Sequence, residues 1–379
     1  MRETGSGSES GRGCVPWGLV GMLGLVLLAE GFIRRHTLDL ATPLAANYRL
    51  AAQAARDEGP QCEVLCFGDS QIKFGVIPRV IEERAGRSAY NLALIGGQPP
   101  ATYILLRRAL EAGARPTAVL VNFKANMIAG DLRTNRRNLA ELLDLRDCLA
   151  LAWAYRDATF FATTALARAL PSYRTRDEVR SAILTTLRNK PDDPRRVALP
   201  FVRNWVVNQG AMVGTVHPGY RGTVMPQEES IFFTTPWRRD AVNVAYLRRF
   251  LRLAEQHRIA VYWLIPPIAP DAQARREQLG LDAEFSRFVA AVQARHPNVT
   301  VIDGRHAGYE ASSFVDSGHL SPSGAAAFST AVAEVLRGGA GASARSRWIK
   351  LPPFRPITIA LEDLDQSRRV VEQAKGARR

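Results

Sequence analysis

Five short apolar runs, at 63–67, 89–94, 117–123, 259–265 and 299–303, are separated by segments with helical spacing. The third contains Ala118-Val119-Leu120-Val121, apolar at every position, so both of its faces must be covered. Strands apolar on both faces and joined by helices form a parallel sheet with helices packed against it. The connecting helices are expected at 78–85, 101–112, 240–257, 283–295 and 322–336. Pro78 at the first turn and Gly86 just past the end delimit the first of them, following the usual proline and glycine preferences of helix termini. Right-handed crossovers between such strands make the sheet doubly wound, in three layers.

The alternation stops between 132 and 237, where helical segments rich in Thr, Arg and aromatic residues replace it. This reads as an insertion capping the sheet. It ends in a glycine- and proline-rich loop, 208–230, a candidate lid over a cleft.

Before the first strand, 15–33 is an apolar stretch closed by Arg34-Arg35. Its length, about nineteen residues, suffices to span a bilayer. With no small-x-small cleavage site after it, an uncleaved, single-pass signal anchor over 1–36 is expected. Residues 37–60 then read as a helical stalk ended by Asp57-Glu58-Gly59-Pro60, the folded domain as 61–338, and 339–379 as a basic tail in which 348–359 is apolar enough to dock. Arg34, Arg35, Arg49 and Arg56 outnumber Arg2 and Arg12, so flanking charge argues against placing the domain outside the cytoplasm.

The formal charge of +14 comes from arginines spread along helices and gathered near the C-terminus. They form no compact basic block interleaved with aromatics, so nucleic acid is not an expected partner. Cys62 and Cys66 read as buried small hydrophobes. His217, His257, His296 and His306 lack metal-ligand spacing, and neither a metal nor another cofactor is expected.

The chemistry-bearing residues lie at the two ends of the domain. Gly68-Asp69-Ser70-Gln71 stands at the carboxyl end of the first strand, the edge where open α/β sheets bind ligands. Asp69 reads as a brace of that turn. Asp316-Ser317-Gly318-His319 directly precedes the last helix, for which Ser321 or Ser323 is the N-cap, and helix starts share the edge that carries Ser70. A serine on a turn needs a base, and an aspartate three residues before a histidine can fix the imidazole tautomer. Ser70, His319 and Asp316 are therefore the expected nucleophile, base and orienting acid.

Gly68-Asp69-Ser70 and Asp316-x-x-His319, followed by Leu320-Ser321-Pro322-Ser323-Gly324, resemble the first and last blocks of the SGNH/GDSL hydrolase superfamily. The style is closest to its membrane-tethered branch of polysaccharide O-acetyltransferases and deacetylases. That resemblance implies a flavodoxin-like α/β/α domain outside the cytoplasm and an acyl-serine mechanism on an acylated small molecule or polysaccharide. It also implies an oxyanion hole from the amides of Ser70 and Gly97, or its neighbour Gly96, with an asparagine after the third strand. In place of Gly-x-Asn-Asp the chain has Val121-Asn122-Phe123-Lys124-Ala125-Asn126, which makes Asn126 the expected donor and Asn122 the second choice. Trp205 and Trp237 are candidates to stack on sugar rings, whereas Trp263, inside a strand, reads as core.

Overall fold

The computed structural model describes residues 17–36, 42–187, 194–338 and 347–376. The chain enters through α1 (Trp17–Arg35), an exposed helix long and apolar enough to cross a membrane. It continues into α2 (Pro43–Asp57) and a six-stranded sheet made of β1 (Val64–Phe67), β2 (Ala89–Asn91), β3 (Ala118–Val121), β4 (Ala260–Ile265), β5 (Val299–Asp303) and β6 (Trp348–Lys350). Every pairing is parallel, and the strand order is β2-β1-β3-β4-β5-β6. Through β5 this is the doubly wound order 2-1-3-4-5, whose reversal lies between β1 and β3.

Alternate residues along each strand feed two separate cores, as a period of two requires. Leu65, Phe67, Val119, Val121, Val261 and Trp263 pack on one face against α2, α5 (Pro99–Glu111) and the helices Ala241–Gln256 and Leu281–Gln293. Val64, Cys66, Ala118, Leu120, Tyr262 and Leu264 pack on the other against α4 (Pro78–Ala85) and the helix Pro322–Gly338. Between β1 and α4 lies a shorter helix, α3 (Ser70–Gly75).

Three expectations about domain limits need correction. The segment read as a stalk over 37–60 is a layer of the domain from Thr42 on, because the small side chains of Ala46, Ala51 and Ala55 let α2 approach closely and bury Tyr48 completely. Asn47 on this helix accepts from the Ile95 amide at 2.7 Å. The tail expected over 339–379 is docked wherever it is described. Its strand β6 covers the outer edge of β5, where an open ladder would otherwise face solvent. Beyond it, the helix Leu364–Gly376 packs on Pro194–Val207, secured by Asn204 donating to Glu362 O at 2.8 Å and by an Arg203–Glu362 ion pair at 2.6 Å. Finally, the insertion is helical as expected, but Leu139, Leu142, Cys148, Leu151 and Phe160 join the core on the α2 face. Its helices extend that layer outward, and only its closing loop, 208–230, reaches the turns that follow the strands.

Candidate active site

Gly68 follows β1 with φ +124°, a backbone region that essentially only glycine adopts. The chain reverses there, and the Asp69 carboxylate caps α3 by accepting from the Gln71 amide at 2.9 Å. Ser70 becomes the first residue of α3. Its own N–H has no partner among the described residues, since the first amides of a helix lack intrahelical acceptors.

The second block arrives from the other end of the domain. The Val315 amide donates to His319 O at 2.9 Å, closing a tight loop, and Ser321 caps the following helix through the Gly324 amide at 3.3 Å. Inside this loop Asp316 Oδ1 accepts from the amides of Gly318 at 2.8 Å and His319 at 2.9 Å. His319 Nδ1 lies 2.7 Å from Asp316 Oδ2, and Nε2 lies 2.7 Å from Ser70 Oγ. An ionised Asp316 fixes the proton on Nδ1, which leaves Nε2 to accept from the serine hydroxyl. Burial pushes the Asp316 carboxyl up, but its bonds from the His319 ring and from the Gly318 and His319 amides outweigh that and hold it below the usual carboxylate value. The Phe74 ring, 5.0 Å from the imidazole, limits how the base can swing.

The structure thus brings Ser70, Asp316 and His319 together. It treats the expected oxyanion residues differently. Gly97 packs directly on the nucleophile turn, where a methyl group would stand 2.2 Å from Gly68 O, but its amide donates to Leu94 O at 3.0 Å. Asn126 touches neither block; it lines a neighbouring cavity with Phe232 and Trp237, and its Oδ1 is buried without a partner. Asn122 takes the central place. Its Oδ1 accepts from the Asp69 amide at 3.0 Å while its Nδ2 donates to Asp69 Oδ1 at 2.9 Å, so it locks the turn that carries Ser70.

Two supporting residues carried no sequence signal. Lys73 on α3 is fully buried and donates to Gly210 O at 2.7 Å, tying α3 to the loop expected as a lid; burial pulls its pKa well down. Glu228, in the same loop, accepts from Ser317 Oγ at 2.6 Å and from the Met225 amide at 2.9 Å. The loop therefore braces the triad from the side: His217 also donates to Val315 O at 2.8 Å. Under the ester chemistry that the sequence resemblance implies, replacing Glu228 by Ala should lower kcat in an ester-hydrolysis assay roughly 100-fold with KM little changed, because a small displacement of the base is costly. Glu228→Gln, which retains an acceptor, should recover most of the loss in the same ester-hydrolysis assay.

Beside the turn, a cavity of about 40 Å³ is lined by Gln71, Asn122, Lys124, Phe232 and Arg276. The Lys124 ammonium stands 4.5 Å from the centre of the Phe232 ring; burial lowers its pKa, and Asp69 and Asp316 pull it back up. Trp205 and Trp237 are buried, and the Trp237 Nε1 donates to Ala125 O at 2.8 Å, so neither stands on the open surface as a platform for a sugar. Glu277, Asp282 and His306 bring ligand atoms within 4.8 Å of one another, a proximity their spacing did not suggest. Asp282, however, is already held by Arg276 at 3.0 Å and Arg305 at 2.9 Å, which neutralise the one buried acid of the group.

No family model matches the chain, and no curated protein matches it. The chemistry must be argued from the site. A serine hydroxyl at a helix start, an imidazole nitrogen on it and a carboxylate behind that imidazole form an ordered set able to activate an oxygen nucleophile.

Proposed function

We propose that the chain is a serine acyl hydrolase or acyltransferase of the SGNH type, working through an acyl-Ser70 intermediate. The observation that carries this reading is the 2.7 Å approach of His319 Nε2 to Ser70 Oγ, with Asp316 at 2.7 Å on the opposite nitrogen. Ser70 Oγ attacks the acyl carbonyl as its proton passes to His319 Nε2. The tetrahedral oxyanion receives the free Ser70 amide, and Lys124 contributes positive charge from the adjoining cavity. Collapse expels the alkoxide, which takes the proton from the imidazolium. An incoming water or hydroxyl then gives its proton to His319, attacks the ester, and releases Ser70 with the proton returned to Oγ.

Water as acceptor makes the protein an esterase; a sugar hydroxyl makes it an O-acyltransferase. We take the acyl group to be acetyl-sized and its carrier to be a carbohydrate or other envelope polymer. On this reading α1 anchors the protein by a single pass, with the domain on the extracytoplasmic side.

A fluorophosphonate probe should label the detergent-solubilised full chain at Ser70, and labelling should vanish in Ser70→Ala. The same protein should hydrolyse p-nitrophenyl acetate, with added hydroxylic acceptors separating transfer from hydrolysis. Wild-type protein that is neither labelled nor active would leave a non-catalytic binding role on the same scaffold.

A further inference from the structure

Where α1 meets the domain, a cavity of about 510 Å³ opens between α2 and the helices of the insertion. Arg34 from the last turn of α1, Arg49 and Arg56 from one face of α2, and Arg168 and Arg174 from the insertion line it, and Glu141 is the one acid among its described lining residues. Glu141 is committed to Arg174 at 2.8 Å. Arg49 Nη1 is buried with no hydrogen-bond partner among the described residues, an arrangement that costs free energy until an acceptor arrives. Burial lowers the pKa of Arg174, and the neighbouring charges of Arg49, Arg34 and Arg168 lower it further against the pull of Glu141. The cavity thus gathers five arginines around one committed acid, and it is large enough for a phosphorylated headgroup.

Its position narrows the source of the anion. Glu30, one turn before Arg34, accepts from the Ser172 amide at 3.0 Å and also bonds the Ser172 hydroxyl, so the end of the apolar helix is fixed against the cavity's rim. Leu145, itself part of the lining, begins a stripe at helical spacing with Leu149 and Trp153, which are 58%, 58% and 84% exposed. Leu166 and Leu170 on the next helical segment are exposed as well. Apolar surface of this extent, with tryptophan among arginines, belongs at a bilayer interface.

We infer that this arginine cavity binds the phosphate of an anionic phospholipid headgroup, while the Leu145-Leu149-Trp153 stripe of the insertion dips into the acyl boundary beside α1. The inference rests on α1 as a membrane span and is independent of the chemistry at Ser70. A headgroup phosphate would satisfy Arg49 and offset the crowding around Arg174, as bidentate arginine contacts to phosphate do.

The test is native mass spectrometry of the full chain released from nanodiscs of equal phosphatidylcholine and phosphatidylglycerol. Phosphatidylglycerol should be retained over phosphatidylcholine, and retention should fall roughly fivefold for each arginine removed in Arg49→Gln and in the exposed-site variant Arg56→Gln. Both variants should keep the wild-type fluorophosphonate labelling of Ser70. Equal retention of the two lipids by the wild type, or unchanged preference in both variants, overturns the proposal. So does full displacement by millimolar inorganic phosphate, which assigns the cavity to a soluble anion. Failure of the full chain to float with neutral vesicles would instead sink the membrane reading on which the inference stands.

Discussion

Asp316→Asn should leave the fold intact and reduce kcat for ester hydrolysis by about 10⁴-fold, the scale seen when a triad histidine is held in the wrong tautomer. The amide oxygen can still accept from the Gly318 and His319 amides, which now bond Asp316 Oδ1 at 2.8 and 2.9 Å. Its NH₂ group then faces His319 Nδ1 and donates to it. The ring proton moves to Nε2, the atom 2.7 Å from Ser70 Oγ, and the base is occupied before catalysis begins. Steady-state kinetics and fluorophosphonate labelling rates should fall together, while thermal melts near neutral pH shift only modestly. The carboxylate also gives the melts a pH signature. Because its folded pKa lies below the unfolded value near 3.9, its stabilisation is complete above about pH 4 and is lost as pH falls through the folded pKa. The difference in Tm between wild type and Asp316→Asn should therefore shrink on the acid side.

The triad was legible in sequence because each of its parts is a local signal joined to a strand or helix end. Gly68-Asp69-Ser70 follows a continuous apolar run, and Asp316-x-x-His319 precedes a capped helix; parallel topology then sends both to one edge of the sheet. The oxyanion residues were less legible because their roles depend on where individual amides point. Gly97 sits where the pattern put it, against Gly68, yet a turn within residues 94–97 takes up its N–H. The apolar run 117–123 places Asn122 inside a strand and so favours Asn126 as the donor. In fact β3 ends at Val121, one residue earlier, and that frees the Asn122 side chain to reach the Asp69 turn. Glu228 is 89 residues from its partner Ser317 and belongs to no motif, so only the folded chain reveals it.

The fold divides along the same line. Strands β1 to β5 and their helices announce themselves through periodicity, because burial on both faces demands unbroken apolar runs. The sixth strand does not. Trp348-Ile349-Lys350 is three residues long, at most half-buried and on the edge of the sheet, so it follows β5 through backbone pairing, the packing of Trp348 against the core and the Trp348 bond to Asp303 at 3.1 Å. Likewise α2 looks like a spacer because alanine is as common in exposed helices as in closely packed ones, and it took the contact with the sheet layer to distinguish the two.

Gly68→Ala should cost more than about 4 kcal/mol of stability and abolish labelling of Ser70, a size of effect reserved for forced overlaps in a packed core. Two penalties combine at this position. The backbone sits at φ +124°, outside the left-handed helical well that other residues occasionally enter. A β-carbon would also lie 2.1 Å from Asn122 Oδ1 and 2.8 Å from Asn122 O. Neither atom can retreat cheaply: the first holds the Asp69 amide, and the second belongs to the chain just past β3, which pairs directly with β1. Relief must separate the two strand ends or break the Asp69–Asn122 bonds, and either movement takes Ser70 away from His319. Gly86→Ala isolates the backbone contribution, because Gly86 has φ +68° with open space where its β-carbon would go. That substitution should cost about 1 kcal/mol and leave labelling untouched. Urea melts of the two variants measure the difference, which is the steric price of placing the nucleophile turn against Asn122; equal losses in both would mean that Gly68 is needed for its dihedral angle alone.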